Sequence, residues 1–197
     1  MTVATTDVGV YTFGTDIPLP SFGSDLASCF DLAYHNPRGL PIQGYDSENK
    51  PGFTSLISEM VTATQNGFYF PPNTRLLVPT GMIFDLPMAH DMRVHPRSGV
   101  SLKQGLTLIN CEGVIDEDYT QELFIPMINM SSRSVLVTQG MRLAQAEICA
   151  ARSYTSGWKD SYTSFPWCRV PRPNFVRLDN PPEPKTNRTG GFGSTGV

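Results

Sequence analysis

The sequence is poor in the residues that build metal centres and disulfide frameworks. It has four cysteines and three histidines in 197 residues, and no two cysteines form a C-x-x-C pair. The histidines do not fall at zinc-ligand spacing with the cysteines, and the H-x-E and P-C-x-x-C elements of zinc nucleoside deaminases are missing. These absences exclude zinc sites of those types. We expect reduced, partly buried thiols at Cys29, Cys111, Cys149 and Cys168.

Strong charge and long apolar runs are also missing. The net charge is -3, with no basic stretch that could neutralise the phosphates of a polynucleotide, so any phosphate binding should be local. No run reaches membrane-spanning length, and residues 1–7 lack a basic region followed by an apolar core. These features predict a cytoplasmic protein with neither a polynucleotide nor a membrane as its partner.

What the chain does contain is turns and short apolar runs. Seventeen prolines and seventeen glycines separate short segments rich in Val, Ile, Leu and Phe, which predicts an all-β barrel or jelly roll with one short helix ending near Gly105. The predicted strands are Val8–Phe13, Cys29–Ala33, Leu76–Leu86, Met92–His95, Leu106–Asn110, Leu123–Met130, Ser134–Thr138 and Arg142–Ala150.

The domain organisation follows from shifts in composition. We expect a β-domain over residues 1–178, with insertions at about 36–73 and 152–178, and a flexible C-terminal arm over 179–197. Ser55–Thr64 has apolar spacing that could form one amphipathic helical stretch. The prolines between 171 and 184 predict an extended arm that leads the tail away from the body.

The tail itself combines an arginine, glycines, hydroxyls and one aromatic ring. Its glycines allow backbone N–H groups to approach an anion, and Arg188 offers a planar fork that matches phosphate oxygens. Phe192 has no partner at strand or helix spacing, so stacking on a flat ligand is its expected use. The alternative is a disordered Gly/Ser tail.

Four internal segments carry further polar groups. Gly113–Tyr119 follows a β-type run and presents Asp116, which could accept a proton from water, beside a phenol ring that could pack on a sugar. His95–Gly99 could begin a helix that binds phosphate. Each has a plain alternative as a surface turn, and Asp31 and Gln145 would be unremarkable individually.

Taken in order, these five segments resemble the five motifs of the trimeric dUTPase family. The resemblance covers residues 27–33, 95–105, 106–122, 140–147 and 188–196. It implies a jelly-roll subunit and a homotrimer in which the tail of one subunit closes over a site built by the other two. It also implies Mg²⁺-assisted hydrolysis of dUTP to dUMP and pyrophosphate, which keeps uracil out of DNA and supplies dUMP for thymidylate synthesis.

The resemblance also assigns residues. Asn110 and the backbone of Gly113, Val114 and Ile115 would hold uracil, Tyr119 would pack under the deoxyribose, and Asp116 would deprotonate the attacking water. Asp31 would reach magnesium through coordinated water, the metal being held mainly by the substrate's phosphates. The phosphate chain would be bound by Arg97, Ser98, Gly99 and Gln145. The lid over the nucleotide would be formed by Arg188, Phe192, Gly193, Ser194 and Thr195.

The chain departs from the family pattern at three places. The first motif carries Cys29 and Phe30 where glycine and tyrosine are common. The usual Tyr-Arg-Gly-Glu of the third motif is here Tyr119 followed by Thr-Gln-Glu, and Arg188 lies four residues before Phe192 instead of five. The nearest enzymatic rival is dCTP deaminase, which needs a glutamate where this chain has Pro126. The rival from another class is a regulatory nucleotide-binding module that contacts a protein partner through the insertions.

Overall fold

A computed structural model of the chain describes residues 6–51, 67–150, 172–188 and 190–191, and every structural statement below concerns those residues. They form an all-β fold with one short helix. The strands are β1 (Thr6–Thr12), β2 (Phe30–Ala33), β3 (Gly44–Tyr45), β4 (Gly67–Phe70), β5 (Arg75–Pro79), β6 (Met82–Asp85), β7 (His90–Pro96), β8 (Leu106–Leu108), β9 (Gly113–Ile115), β10 (Phe124–Asn129), β11 (Val135–Thr138), β12 (Arg142–Ala150) and β13 (Pro173–Arg177), and the helix is α1 (Ser98–Gln104).

The strands form four small sheets. Their orders are β13-β1-β6, β3-β5-β10-β8, β11-β4 and β2-β12-β7-β9. All pairings are antiparallel except that of β1 with β13, which is parallel. Several short antiparallel sheets enclosing a single apolar core agree with the predicted jelly-roll class.

The last of these sheets positions the site. Strand β7 lies between β12 and β9, with His95 opposite Gln145 on one edge and Val94 opposite Gly113 on the other. Successive side chains alternate between the two faces, so Met92 and Val94 enter the core while Arg93 and His95 occupy the opposite face. The helix α1 begins two residues after β7 ends and closes on Gly105 in the left-handed conformation (φ 72°), as the sequence predicts.

The C-terminal segment packs on the domain. Strand β13 extends the sheet of β1, and the rings of Phe175 and Phe30 meet edge to face with centroids 4.8 Å apart. The guanidinium of Arg172 lies 3.9 Å from the ring centre of Phe22. The extended arm expected from the prolines is therefore wrong at residues 173–177, because Phe175 gains apolar burial and β13 gains a hydrogen-bonded edge. The flexible arm over 179–197 stays a prediction.

Two other expectations are corrected. The predicted strand Leu76–Leu86 is divided into β5 and β6 by Thr80 and Gly81. Gly81 has a φ of 67°, and its N–H donates to Glu122 Oε1 at 3.0 Å, so a distant side chain fixes the break. Strands β3 and β4 form inside the segment 36–73, where the sequence predicted none. The helical stretch expected at Ser55–Thr64 lies outside the described residues.

The search for membrane-crossing helices found none among the described residues.

A stability prediction follows from the strand break. Gly81→Ala should lower the free energy of unfolding by about 2–4 kcal/mol, because the residue keeps a positive φ and the new Cβ would lie 2.7 Å from Ile17 Cδ1. Gly39 is a matched control, since its φ is also positive (60°) but a Cβ there meets nothing within 4 Å. Gly39→Ala should cost only the backbone strain, about 1 kcal/mol. Urea denaturation measures both, and equal losses would contradict the packing argument.

Candidate active site

A cleft lies between the end of β8, strand β9 and the residues that follow it. It encloses about 180 Å³, which suits a small planar group better than a complete nucleotide. Its lining residues are Val94, Leu108, Asn110, Gly113, Val114, Ile115, Asp116, Tyr119, Leu123, Phe124, Pro126, Arg188 and Gly191. The floor is therefore apolar, and the polar groups Asn110, Asp116 and Arg188 line the same space.

The narrowness of the cleft comes from close backbone approach. Gly113 pairs with Val94, and a Cβ at Gly113 would lie 3.2 Å from Val94 Cβ and 3.7 Å from the Asn110 amide nitrogen. A side chain at this position would press on Val94 and would lie in ordinary contact with the amide. Glycine thus lets β9 and the amide of Asn110 share one face of the slot.

The carboxylate of Asp116 stands just after β9, where the backbone leaves the sheet. Its Oδ2 accepts a hydrogen bond from Arg188 Nη1 at 2.6 Å. The same nitrogen donates to Asp118 Oδ1 at 2.8 Å, and Thr186 donates its hydroxyl proton to Asp118 Oδ2 at 2.9 Å. Two acidic side chains and a threonine therefore hold Arg188 across the cleft of its own subunit.

The electrostatics of this contact are mutual. Hydrogen bonding to Arg188 is the main cause of the lowered pKa of Asp118, and bonding to Asp116 and then Asp118 raises the pKa of Arg188. Each charged form thus stabilises the other. Lys185, which pairs with Asp85 at 2.7 Å, ties the arm to the domain just before this point.

The ring of Tyr119 forms one wall of the cleft, and its hydroxyl donates to the carbonyl of Glu122 at 2.9 Å. Burial raises the pKa of this phenol, so it remains a neutral donor. Glu122 is buried and is held by the N–H of Gly81 and by a close ion pair with Arg38. Although the third motif lacks its usual arginine, a guanidinium from another part of the chain thus anchors the glutamate that ends it.

A second cleft lies at the start of α1. Arg97, in extended conformation, precedes the helix, and Ser98 and Gly99 are exposed at its first turn. Gln145 of β12 donates its amide proton to the carbonyl of Pro96 at 3.1 Å, which fixes its place beside Arg97. The cleft is lined by Arg97, Ser98, Gly99, Val100, Lys103, Gln104 and Gln145.

Asp31 of β2 orients the Arg97 side chain in this second cleft. Its Oδ1 pairs with Arg97 Nε and its Oδ2 with Arg142 Nη1, both at 2.9 Å. A carboxylate bridging two guanidinium groups fixes the direction of Arg97. Both oxygens already accept a charged donor, so Asp31 lies where it can hold an arginine in place.

A magnesium ion would find few direct ligands in the part of the chain that the structure describes. Within the described residues, no group of three His, Cys, Asp or Glu side chains converges so as to hold a metal. Asp31 retains lone pairs for a metal-bound water, but its oxygens are shared with Arg97 and Arg142. The donor set therefore fits a cation carried by a phosphate-rich ligand and does not fit one held by the protein itself.

The residues predicted from sequence fall into two groups. Asn110, Gly113–Ile115, Asp116, Tyr119 and Arg188 line the first cleft, whereas Arg97, Ser98, Gly99 and Gln145 line the second, and the two linings share no residue. Phe192, Gly193, Ser194 and Thr195 lie outside the described residues.

Sequence reasoning missed several residues that line or hold the site. Asp118 and Thr186 hold Arg188, while Lys103 and Gln104 line the second cleft. The acidic spacing of Asp116 and Asp118 was the one available signal for the first pair. Lys103 lies one helical turn after Gly99, a spacing that places both on the same side of α1.

This arrangement combines three chemical capacities. The first cleft has an apolar slot of base size with an amide and backbone groups at its edge. Its mouth holds a half-exposed carboxylate that can accept a proton. The second cleft offers an arginine, a lysine and a hydroxyl to an anion. Together they suit a phosphorylated nucleoside and a hydrolytic reaction.

Comparison with known proteins agrees with this chemistry. Residues 62–153 match the family model described as dUTPase. The deoxyuridine 5'-triphosphate nucleotidohydrolase of Bartonella bacilliformis is 32% identical over 160 residues, which cover 81% of this chain and 84% of that protein. The enzyme of the same name from Finegoldia magna is 42% identical over 110 residues, covering 56% of this chain and 73% of its own.

Solved structures give the same fold. The dUTPase from Streptococcus mutans superimposes with a TM-score of 0.52 at 23% identity, covering 73% of this chain and 95% of that one. A dUTPase from phage phi11 of S. aureus, whose structure describes the coordination of a structural Mg(II) ion, superimposes with a TM-score of 0.53 at 15% identity, covering 74% and 91%. The extent and identity of the match to the Bartonella protein establish that this chain belongs to the dUTPase family.

Proposed function

We propose that the protein hydrolyses dUTP to dUMP and pyrophosphate. The observation that carries this proposal is the first cleft, in which Asn110, Asp116 and Tyr119 line one narrow space with an apolar floor. Membership of the dUTPase family and relatives named deoxyuridine 5'-triphosphate nucleotidohydrolase support the same reaction. The reaction would keep uracil out of DNA by removing dUTP, and it would supply dUMP for thymidylate synthesis.

The base and the sugar would occupy the slot. Uracil would lie between Asn110 and the backbone of Gly113–Ile115, where a 5-methyl group would meet the apolar wall. The ring of Tyr119 would pack under the deoxyribose and exclude a 2'-hydroxyl. Pro126 lines the same cleft and cannot act as an acid or base, so the cleft lacks at that place the glutamate that dCTP deamination needs.

Phosphate binding would require a second subunit. The phosphate-binding candidates Arg97, Ser98, Gly99 and Gln145 line a different cleft from Asp116. A homotrimer that brings the second cleft of one subunit to the first cleft of its neighbour would assemble a complete site at each interface. Asp31, through its pairing with Arg97, would orient the guanidinium toward the phosphates.

Asp116 would act as the general base. Its carboxylate would take a proton from water while the water oxygen bonds to the α-phosphorus, and the bond from that phosphorus to the leaving pyrophosphate would break. The pairing of Arg188 with Asp116 would open for this step, because the hydrogen bond from Arg188 occupies the Oδ2 of the carboxylate that is to accept the proton. A triphosphate would compete for Arg188, which with Phe192, Gly193, Ser194 and Thr195 would then cover the nucleotide.

Magnesium bound by the triphosphate would offset charge on the attacked phosphorus and on the leaving pyrophosphate. This chain would contribute Asp31, through water, and leave the inner ligands to the substrate.

The substrate assignment is tested with four nucleotides in parallel. Pyrophosphate release from dUTP, dCTP, dTTP and UTP is measured with magnesium, and ammonia is recorded in the same samples. We expect dUTP to be favoured over dTTP by about 10- to 200-fold in kcat/KM, the discrimination typical of one methyl group. Ammonia from dCTP would indicate a deaminase, and no release from any nucleotide would favour the binding-module alternative.

The role of Asp116 is tested by Asp116→Asn, which keeps the shape of the side chain and removes its basicity. Turnover of dUTP should fall about 100-fold or more, the usual size of general-base effects. Asp25→Asn, at an exposed carboxylate outside both clefts, is the matched control and should leave turnover unchanged. Near-normal turnover of Asp116→Asn would show that another group activates the water.

The role of the tail is tested by ending the chain after Lys185. The ion pair of Lys185 with Asp85 and the strand β13 remain, so we expect an unchanged melting temperature and an unchanged trimer by light scattering. Turnover should fall at least about tenfold because Arg188 and the rest of the fifth motif are lost. A control chain that lacks only Val197, which follows the fifth motif, should keep full turnover. A monomer or an aggregate after the longer truncation would mean that the tail is structural.

A further inference from the structure

The loop from Asn110 to Gly113 joins two groups that line the base slot, and its backbone is tightly constrained. Cys111 adopts a positive φ of 61°, which a residue with a side chain rarely does. The N–H of Glu112 donates to the carbonyl of Asn110 at 2.6 Å. Only Cys111 and Glu112 separate Asn110 from Gly113, so any movement of Glu112 changes the shape of the slot.

The carboxylate of Glu112 binds this loop to strand β7. Its Oε2 accepts a hydrogen bond from Arg93 Nη1 at 3.2 Å, and its Oε1 lies 3.8 Å from His95 Nδ1. Val94 is opposite Gly113 in the ladder, and Arg93 and His95 are its neighbours on the other face of the sheet. The two side chains that meet Glu112 therefore flank the residue that forms the wall of the slot.

Arg93 and His95 are themselves fixed. Both oxygens of Asp91, a buried carboxylate, accept from Arg93, at 3.1 Å from Nε and 2.8 Å from Nη2. On the neighbouring strand, Glu147 Oε1 lies 3.2 Å from His95 Nε2. A guanidinium held at two points by a buried partner is an oriented donor, so Glu112 meets a rigid array.

We propose that Glu112 is a positioning residue for base recognition, which holds Asn110 and Gly113 at the width of the base through its pairing with Arg93. The inference rests on the proposed function, because it takes the first cleft to be the base slot. Glu112 lines neither cleft and thus acts through its neighbours.

The exposure of the Glu112 side chain distinguishes a role in positioning the slot from a role in stabilising the fold. Its side chain is 46% exposed, and an ion pair at that exposure contributes little to the stability of the fold. Ligand binding in a narrow slot is more sensitive than fold stability to loss of such a pair, since a displacement of about 1 Å can remove most of the benefit of a positioned group. Loss of the carboxylate should therefore weaken base binding before it weakens folding.

The experiment compares Glu112→Gln, Glu112→Asp and the wild-type chain. Glu112→Gln should raise the KM for dUTP and the Kd for dUMP, measured by calorimetry, about two- to fivefold, the size expected for a partly exposed ion pair. The kcat should stay within about twofold. Asp116 follows the last residue of β9, and the pairing of β9 with β7 still holds that strand in place. Glu112→Asp, which keeps the charge, should restore part of the affinity.

Glu48→Gln provides the matched control, since Glu48 is an exposed carboxylate that pairs with Lys50 and lines neither cleft. It should leave both constants unchanged. Unchanged KM and Kd in Glu112→Gln would overturn the inference, and so would a shared loss of kcat and melting temperature or a failure to fold, which would indicate a structural role. If the wild type binds dUMP without hydrolysing dUTP, the proposed function fails while the Kd comparison still tests Glu112. If the wild type does neither, both proposals fall.

Discussion

The register of strand β7 is the constraint on which the rest of the site depends. This strand is hydrogen-bonded on both edges, to β12 and to β9. Because side chains alternate, one register puts Val94 behind the slot and turns Arg93 and His95 to the opposite face, and a slip of one residue would exchange the two sets. The apolar wall that a base would touch and the charged array that holds Glu112 are thus two faces of one strand. Binding geometry and surface charge are coupled through the backbone.

Much of the first cleft was accessible from the sequence because its residues are local. Asn110, Gly113, Asp116 and Tyr119 lie within ten residues of the chain, on a strand end and the turn that follows it. Their order and spacing carried the resemblance to the family's third motif, and it was that resemblance that assigned their roles. The all-β class and the helix that ends at Gly105 were accessible for the same reason, since apolar alternation and a left-handed glycine are local signals.

The features that were missed depend on partners far along the chain. The break at Gly81 is fixed by Glu122, which lies 41 residues away, although Pro79 and Gly81 are local breakers that the predicted strand passed over. Strand β13 required knowledge of β1, and a proline-rich composition pointed to a free arm instead. The pairing of Arg188 with Asp116 and Asp118 was not foreseen either, and its role at a phosphate stays a prediction. Composition describes what a segment can do alone, and these segments have partners.

The parallel pairing of β1 with β13 also bears on how the chain folds. Asp7 and Asn174, which are hydrogen-bonded side by side, are 167 positions apart. During synthesis, β1 must therefore wait for nearly the whole chain before its second edge is covered, and until then an apolar strand end is open to neighbouring chains. The entropy of closing so long a loop grows only slowly with length, so the delay is mainly one of time. Strand β13 covers the second edge of β1 last, so protection of that edge against aggregation is one of the final events of folding.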